Sequence, residues 1–288
     1  MYEKCAEVPV LTSGQFDKIR QLLYQKAGID IQHGKEQLVS SRLGKKLREH
    51  DFRSFDQYYD HVVNDRTGES LISLINALST NFTYFFREPD HFEFLRSTIL
   101  PTLKARNRVE VWCAAASTGE EPYTIAISVL EELGWSHPAR ILSTDISTKT
   151  LAEAKKATYP EERFREMPRP LMQKYLLRGH DASHGWYQVK PEVRKLVEFS
   201  RLNLIESFSH PQPFPVIFCR NVMIYFDKAT QERVVGRLTM ALEPGGYLLI
   251  GHAESLSGIS HSLEYVRPAV YRKPMSARTQ VPEGRVKR

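Results

Sequence analysis

The stretch VEVWCAAASTGEEPYTIAISVLEEL, residues 109–133, decides the fold. Its first five residues read as a buried strand, AAASTG as a turn, and the remainder as an amphipathic helix. A strand that turns into a helix in this way outlines a nucleotide-type pocket at the carboxyl end of a parallel strand. Ala114, Ala115, Ala116, Ser117, Thr118 and Gly119 carry little bulk, so the backbone approaches a small flat ligand closely. A dinucleotide site would need G-x-G-x-x-G to rest a pyrophosphate on helix N–H groups. This turn has one glycine followed by Glu120 and Glu121, acids that suit the helix dipole and repel a phosphate. A ligand bearing an amine or sulfonium cation fits better, which points toward S-adenosylmethionine. The plain alternative is an ordinary strand-to-helix turn, with Pro122 in the first helical turn and the acids complementing the dipole.

Outward from that unit, strand-like runs at 141–144, 196–200, 216–219 and 247–250 alternate with helical patterns, and Gly245 and Gly246 read as a turn before the last. Such alternation predicts an α/β fold, a mostly parallel sheet with helices on both faces. Residues 185–199 interrupt it: Trp186, Tyr187 and Val189, then Val193, Leu196 and Val197, read as a hairpin or small inserted β subdomain at about 180–200. Upstream, residues 16–78 are helical throughout, an all-α N-terminal domain of four helices within 1–85. Phe16, Ile19, Leu22 and Leu23 share the first face, and Gly28 ends it. Leu38, Leu43 and Leu47 mark the second helix. Ser54 with Gln57 resembles a capping box opening the third, which bears Phe55, Tyr58, Tyr59 and Val62. Leu71, Leu74, Ile75 and Leu78 mark the fourth. A linker at 81–89 and a helix with Phe92, Leu95 and Leu103 lead into the α/β domain, 86–275.

With 288 residues, 41% hydrophobic and 26% charged, the chain has room for two cores. Three cysteines, Cys5, Cys113 and Cys219, are an odd number, and the last two fall in apolar strands, as expected in a reducing cytosol. The start MYEKCAEVPV has no signal-peptide core, and no apolar run is long enough for a membrane helix. The net charge of +6 invites a nucleic-acid reading, but Arg272, Lys273, Arg278, Arg285, Lys287 and Arg288 against Glu283 supply +5 of it. The body is near neutral, and the end of the chain, 276–288, reads as a basic disordered tail.

Several side chains outside the turn could carry chemistry. Asp145 ends the second strand, where a carboxylate accepts bonds from ribose hydroxyls, or else caps the next helix. Asn203 and Leu204 follow the third strand, where an amide pairs with a base edge and an aliphatic chain covers its face. Arg220, Asn221 and Tyr225 in VIFCRNVMIYF put a cation, an amide and a phenol at the mouth of the pocket; the alternative is Arg220 paired with an acid and Tyr225 in the core. In STNFTYFFRE, Asn81 and Thr83 interleave with aromatics before Arg87, a guanidinium placed for a carboxylate.

Together the runs STNFTYFFRE, WCAAASTGEEPYTIAI, STDIS, RLNL, FCRNVMIYFD and GGYLLIGHAES, in that order, resemble the CheR-type chemotaxis receptor methyltransferases, from about Phe16 to Tyr271. The resemblance implies an all-α domain followed by a Rossmann-like S-adenosylmethionine domain with a small inserted β subdomain. It implies a cytoplasmic enzyme, recruited to chemoreceptor arrays, that esterifies receptor glutamates and leaves S-adenosylhomocysteine. Cofactor contacts carried over by motif are Asn81, Thr83, Arg87, Glu121, Asp145, Asn203, Leu204, Arg220 and Asn221, with Tyr225 beside the reacting groups. The basic helix with Arg42, Lys45, Lys46 and Arg48 is implied to face the acidic receptor; alone it would be a solvated face. Some members also tether a receptor C-terminal peptide by adding a strand to the β subdomain. No metal, nucleic acid or membrane insertion is expected, and nothing requires more than a monomer. A nucleic-acid methyltransferase would carry an Asn/Asp-Pro-Pro-aromatic motif where this chain reads Arg220, Asn221, Val222, Met223, and a nicotinamide dehydrogenase would need the glycine pattern. A receptor-binding adaptor that keeps the fold without turnover is the remaining alternative.

Overall fold

The structure of the chain, a computed structural model, describes residues 9–79 and 82–275. Four helices come first: α1 (Ser13–Ala27), α2 (Glu36–Glu49), α3 (Phe55–Asn64) and α4 (Glu69–Leu78). The capping box lies on α1, where Thr12 and Gln15 exchange bonds between side chain and backbone. At α3 only half of the expected box forms. Ser54 Oγ accepts the Gln57 N–H, but Gln57 Oε1 reaches one residue further back, to the Arg53 N–H. Gly28, at φ +71°, turns the chain out of α1. On α2 the buried stripe is Val39, Leu43 and Leu47, four residues apart, so Leu38 faces solvent. These residues close one core with Phe16, Ile19, Leu23, Phe55, Val62 and Leu74.

The second core is built on a seven-stranded sheet. A helical segment, α5 (Asp90–Phe94), passes through a π-helical turn at Leu95–Ile99 into α6 (Leu100–Leu103). Then follow β1 (Val109–Cys113), α7 (Glu120–Leu133), β2 (Ala139–Asp145) and α8 (Thr148–Lys156). An excursion holds β3 (Thr158–Pro160), α9 (Arg169–Tyr175), β4 (Leu176–Arg178), β5 (Trp186–Val189) and α10 (Pro191–Arg194). The chain returns through β6 (Val197–Arg201), β7 (Phe214–Phe218), α11 (Lys228–Ala241), β8 (Leu242–Leu249), β9 (Glu264–Arg267) and β10 (Val270–Arg272). The sheet order is β6-β2-β1-β7-β8-β10-β9, parallel from β6 to β8 and antiparallel across β10 and β9. Val109, Val111 and Cys113 pack with α7, while Trp112 between them packs on the opposite face with Val234, Val235 and Leu238 of α11.

Two sequence expectations change here. Residues 185–199 do not form a hairpin: β5 pairs with β3 and β4 in a separate antiparallel sheet, and β6 joins the main sheet beside β2. Gly245 and Gly246 lie inside β8, within a bulge that shifts its register against β7 between Phe214 and Val216. Arg272 and Lys273 belong to the fold, donating to the carbonyls of Gly245 and Leu242. Residues 276–288 of the expected tail, and Cys5, lie outside the described residues. Among the described residues no helix is long and apolar enough to cross a membrane.

Candidate functional site

The carboxyl ends of β1, β2 and β7 open into a cleft of about 980 Å³, counting its mouth, whose far side is closed by the helical domain. Ala114, Ala115, Ser117, Glu121, Asp145, Asn203, Leu204, Arg220, Asn221 and Tyr225 line it, with Ile29, Ile75 and Asn76 from the helical domain and Thr83 and Arg87 from the linker. Every described residue that the sequence singled out for the cofactor therefore reaches one cavity. Asn81 lies outside the described residues.

One wall is the turn after β1. Its backbone is set by Gly119 at φ +99°, where a Cβ would stand 2.7 Å from the Tyr159 hydroxyl and 2.9 Å from Ala154 Cβ. Asp145 ties this turn to the next one: Oδ2 accepts from Ser117 N at 2.8 Å and Oδ1 from Ser147 N at 2.9 Å. Burial raises the Asp145 pKa, and these N–H bonds oppose the rise. The two acids of α7 part company. Glu120 is fully buried, accepts from the Thr118 hydroxyl and lies 3.4 Å from Arg163, away from the cleft. Glu121 faces the cleft but receives Arg220 Nη1 and the Cys113 thiol. The pair is thus not the free negative charge that the sequence suggested, because each acid has its own partner.

The opposite wall is assembled from charged side chains. Arg220 is completely buried and stands over the Phe92 ring, its Nη1 on Glu121 and its Nη2 on the Arg87 carbonyl at 2.6 Å and on Glu88 at 2.9 Å. Two carboxylates outweigh the desolvation of the guanidinium and hold its pKa above the ordinary value. Glu88 also accepts from Asn221 Nδ2 and the His252 N–H. Burial alone would raise it; Arg220 and these donors hold it at about 2. Arg220 therefore lies in the wall and not as a loose cation at the mouth. Asn221, at φ +56°, begins the loop that carries Tyr225. Arg87 Nη1 donates to the Phe82 carbonyl at 2.6 Å. Arg87 and Arg220 against Glu121 and Asp145 leave the lining balanced in charge.

Asn203 is placed differently from expectation. Its amide nitrogen donates to the Lys26 carbonyl at 2.9 Å and to Glu206 at 3.0 Å, so its side chain fastens α1 to the sheet domain. Leu204 is buried beside it. The seam continues through the Asp30 N–H to the Tyr225 carbonyl, an isolated antiparallel bridge between Ile29 and Phe226, and the Tyr24 hydroxyl to Asp227.

Comparison with known proteins accords with this geometry. Residues 14–79 match the CheR methyltransferase all-alpha domain, and residues 81–271 match the CheR methyltransferase SAM-binding domain. The chain belongs to the CheR family. It is 42% identical over 262 residues to chemotaxis protein methyltransferase 2 of Pseudomonas aeruginosa, covering 90% of this chain and 93% of that one. A chemotaxis protein methyltransferase of Borreliella burgdorferi is 38% identical, covering 91% and 95%, and that of Escherichia coli is 37% identical, covering 91% of each. The chain is thus a methyltransferase with S-adenosylmethionine as its cofactor. The cleft fits that cofactor: Ala114 and Ala115 leave a flat floor, and the buried Ser117 Oγ has no partner. Glu88 and Glu254 went unassigned in the sequence although both lie in CheR-like runs. Only the recurrence of acids beside FFR and GHA, runs that bracket the pocket strands, could have flagged them.

Proposed function

We propose that this chain transfers the methyl group of S-adenosylmethionine to ionised glutamate side chains on the cytoplasmic helices of chemoreceptors, for sensory adaptation. The products are glutamyl methyl esters and S-adenosylhomocysteine. The observation that carries the reading is the placing of Arg87 and Tyr225 together in the lining of a charge-balanced cleft between the sheet and the helical domain. The names of the relatives, chemotaxis protein methyltransferases, support the receptor as acceptor.

When bound, S-adenosylmethionine supplies an electrophilic methyl group on a sulfonium. Asp145, Glu121, Thr83, Asn203, Leu204, Arg220 and Asn221 form its walls in this proposal, with Asn81 and Arg87. A glutamate side chain, with a pKa of about 4.3, is already ionised at neutral pH, so no general base is needed. What the protein must add is alignment and exclusion of water. Arg87 and Tyr225 orient the carboxylate and leave one oxygen free to attack.

The proposed division of labour gives the outer faces of α1–α4 to acceptor recognition, and the linker with the sheet domain to the cofactor. Within α2 the four basic residues differ: Arg42 donates to the Leu78 carbonyl and Lys46 pairs closely with Glu49, while Lys45, at 3.9 Å from the same Glu49, and Arg48 are exposed. Lys45 and Arg48 are therefore the groups that meet an acidic receptor helix. The small sheet carries the exposed Leu177 and Trp186, and of its two edges, β3 and β4, the one bearing Leu177 is where a receptor C-terminal peptide would add a strand. The site of action is the cytoplasmic face of receptor arrays, reached by the enzyme as a monomer without entering the membrane.

The test is transfer of labelled methyl from S-adenosylmethionine to chemoreceptor-containing membranes, followed by mild base. Label on the receptor, released as methanol, is the expected result. Base-stable label would replace ester formation by N-methylation, and cofactor binding without transfer would leave a receptor adaptor.

A further inference from the structure

Glu254 lies outside the cleft, yet its carboxylate gathers four backbone N–H groups. Oε2 accepts from Asn221 at 3.0 Å and Gly251 at 2.6 Å, and Oε1 from Met223 at 2.7 Å and Ile224 at 3.2 Å. Three of these belong to the loop between β7 and α11. The carbonyls of the same loop are held from the other side: Gln231 Nε2 donates to Met223 at 2.9 Å and to Phe226 at 3.0 Å. Within the loop, Tyr225 N donates to Val222 O and Phe226 N to Met223 O, and from the helical domain the Asp30 N–H donates to the Tyr225 carbonyl. A turn with few internal bonds is thus wrapped around one carboxylate, and it delivers Tyr225 to the cleft. Gly251 completes the fit, since a Cβ there would stand 2.3 Å from Asn221 Nδ2.

We propose that Glu254 is a positioning residue for methyl transfer, acting through Tyr225 by fixing the turn that carries it. The proposal rests on the methyltransferase reading of the cleft. Asn221 has a second anchor, because Glu88 holds its side chain independently. The cofactor wall therefore survives the loss of Glu254, whereas the turn at Met223 and Ile224, which sets the approach of the Tyr225 phenol, loses its acceptor. A carboxylate is required and a neutral isostere is insufficient: Glu254→Gln keeps the shape but turns an NH2 toward two N–H donors.

A misplacement of about 1 Å at a reacting group costs on the order of 100-fold in rate. Glu254→Gln is expected to lower kcat by about 10- to 100-fold and to leave the S-adenosylmethionine Kd within about 3-fold. In the Tyr225→Phe background the same change should cost less than about 3-fold, because the group it places has already gone. Equal losses in both backgrounds, or a loss that follows cofactor affinity alone, would overturn the proposal. A second readout needs no acceptor. With fluorotyrosine incorporated, the resonance absent from Tyr225→Phe is expected to shift or broaden in Glu254→Gln; an unchanged line overturns the placement. If the native enzyme transfers nothing to receptors, the functional reading fails, and the fluorine line still decides what Glu254 does.

Discussion

The two walls of the cleft are built in opposite ways. The turn after β1 is made of small residues adjacent in sequence, fixed by a positive-φ glycine and by Asp145, which bonds backbone N–H groups at the roots of α7 and α8. The wall after β7 depends on carboxylates far away in the chain: Glu88 lies 132 residues before Arg220, and Glu254 lies 33 after Asn221. The first wall is a property of local backbone and the second of buried ionic complementarity. A local wall tolerates distant change, and an ionic one fails as a unit when any member is removed.

The sharpest way to break that contrast is Arg220→Met, which leaves Glu88 and Glu121 buried without their cation. A loss of about 3–5 kcal/mol in unfolding free energy, measured by denaturant titration, is expected. A loss no larger than the one caused by removing Asp145 from the first wall would place the two walls together in kind. Asp145→Ala should cost less, about 1–3 kcal/mol, because two backbone N–H groups lose an acceptor. It should weaken S-adenosylmethionine binding at least about 10-fold by calorimetry.

Acid probes the second wall without mutation. Burial, with the charge of Arg220 beside it, holds His91 down to about 3, against 6.5 when unfolded. The native state thus refuses a proton that the unfolded chain accepts. Stability falls as pH drops below 6.5, by up to about 1.4 kcal/mol per pH unit for this group. Glu88, held at about 2 against 4.5, adds stability that is present above 4.5 and lost as pH falls toward 2. Denaturation curves between pH 7.5 and 4.5 should flatten in His91→Asn; His210, also lowered by burial, supplies a smaller remainder. The smallest expected effect lies outside both walls. Thr12→Ala removes the α1 cap and about 1 kcal/mol, with methyl transfer per folded molecule unchanged.

Legibility in the sequence follows the same contrast. The first wall could be read because its strand, turn and helix are contiguous, and Asp145 closes the strand that follows. The α/β class, the four-helix start and the residues that converge on the cleft came from periodicity and motif. The charge pairing did not, because Glu88 and Glu254 look like solvated acids until the fold brings Arg220 and the β7 loop to them. Geometry also decided the β excursion. β5 takes its partners from three-residue strands upstream, too short to show alternation. The main-sheet edge β9 is exposed at all four residues, so no buried face marks it as a strand. Leu38 was misplaced by a single step on α2, where Val39 faces inward.

The seam at Gly28 gives the helical domain a part in shaping the cleft. An added Cβ at Gly28 would stand 2.6 Å from Ile205, and two residues on, the Asp30 N–H holds the carbonyl of Tyr225. The segment that ends the first helix is thus part of the scaffold that holds Tyr225 at the cleft. The helical domain is consequently not an interchangeable cassette: one grafted from a relative would function only if its 28–30 segment travelled with a matching β7 loop, so the two halves must diversify in step.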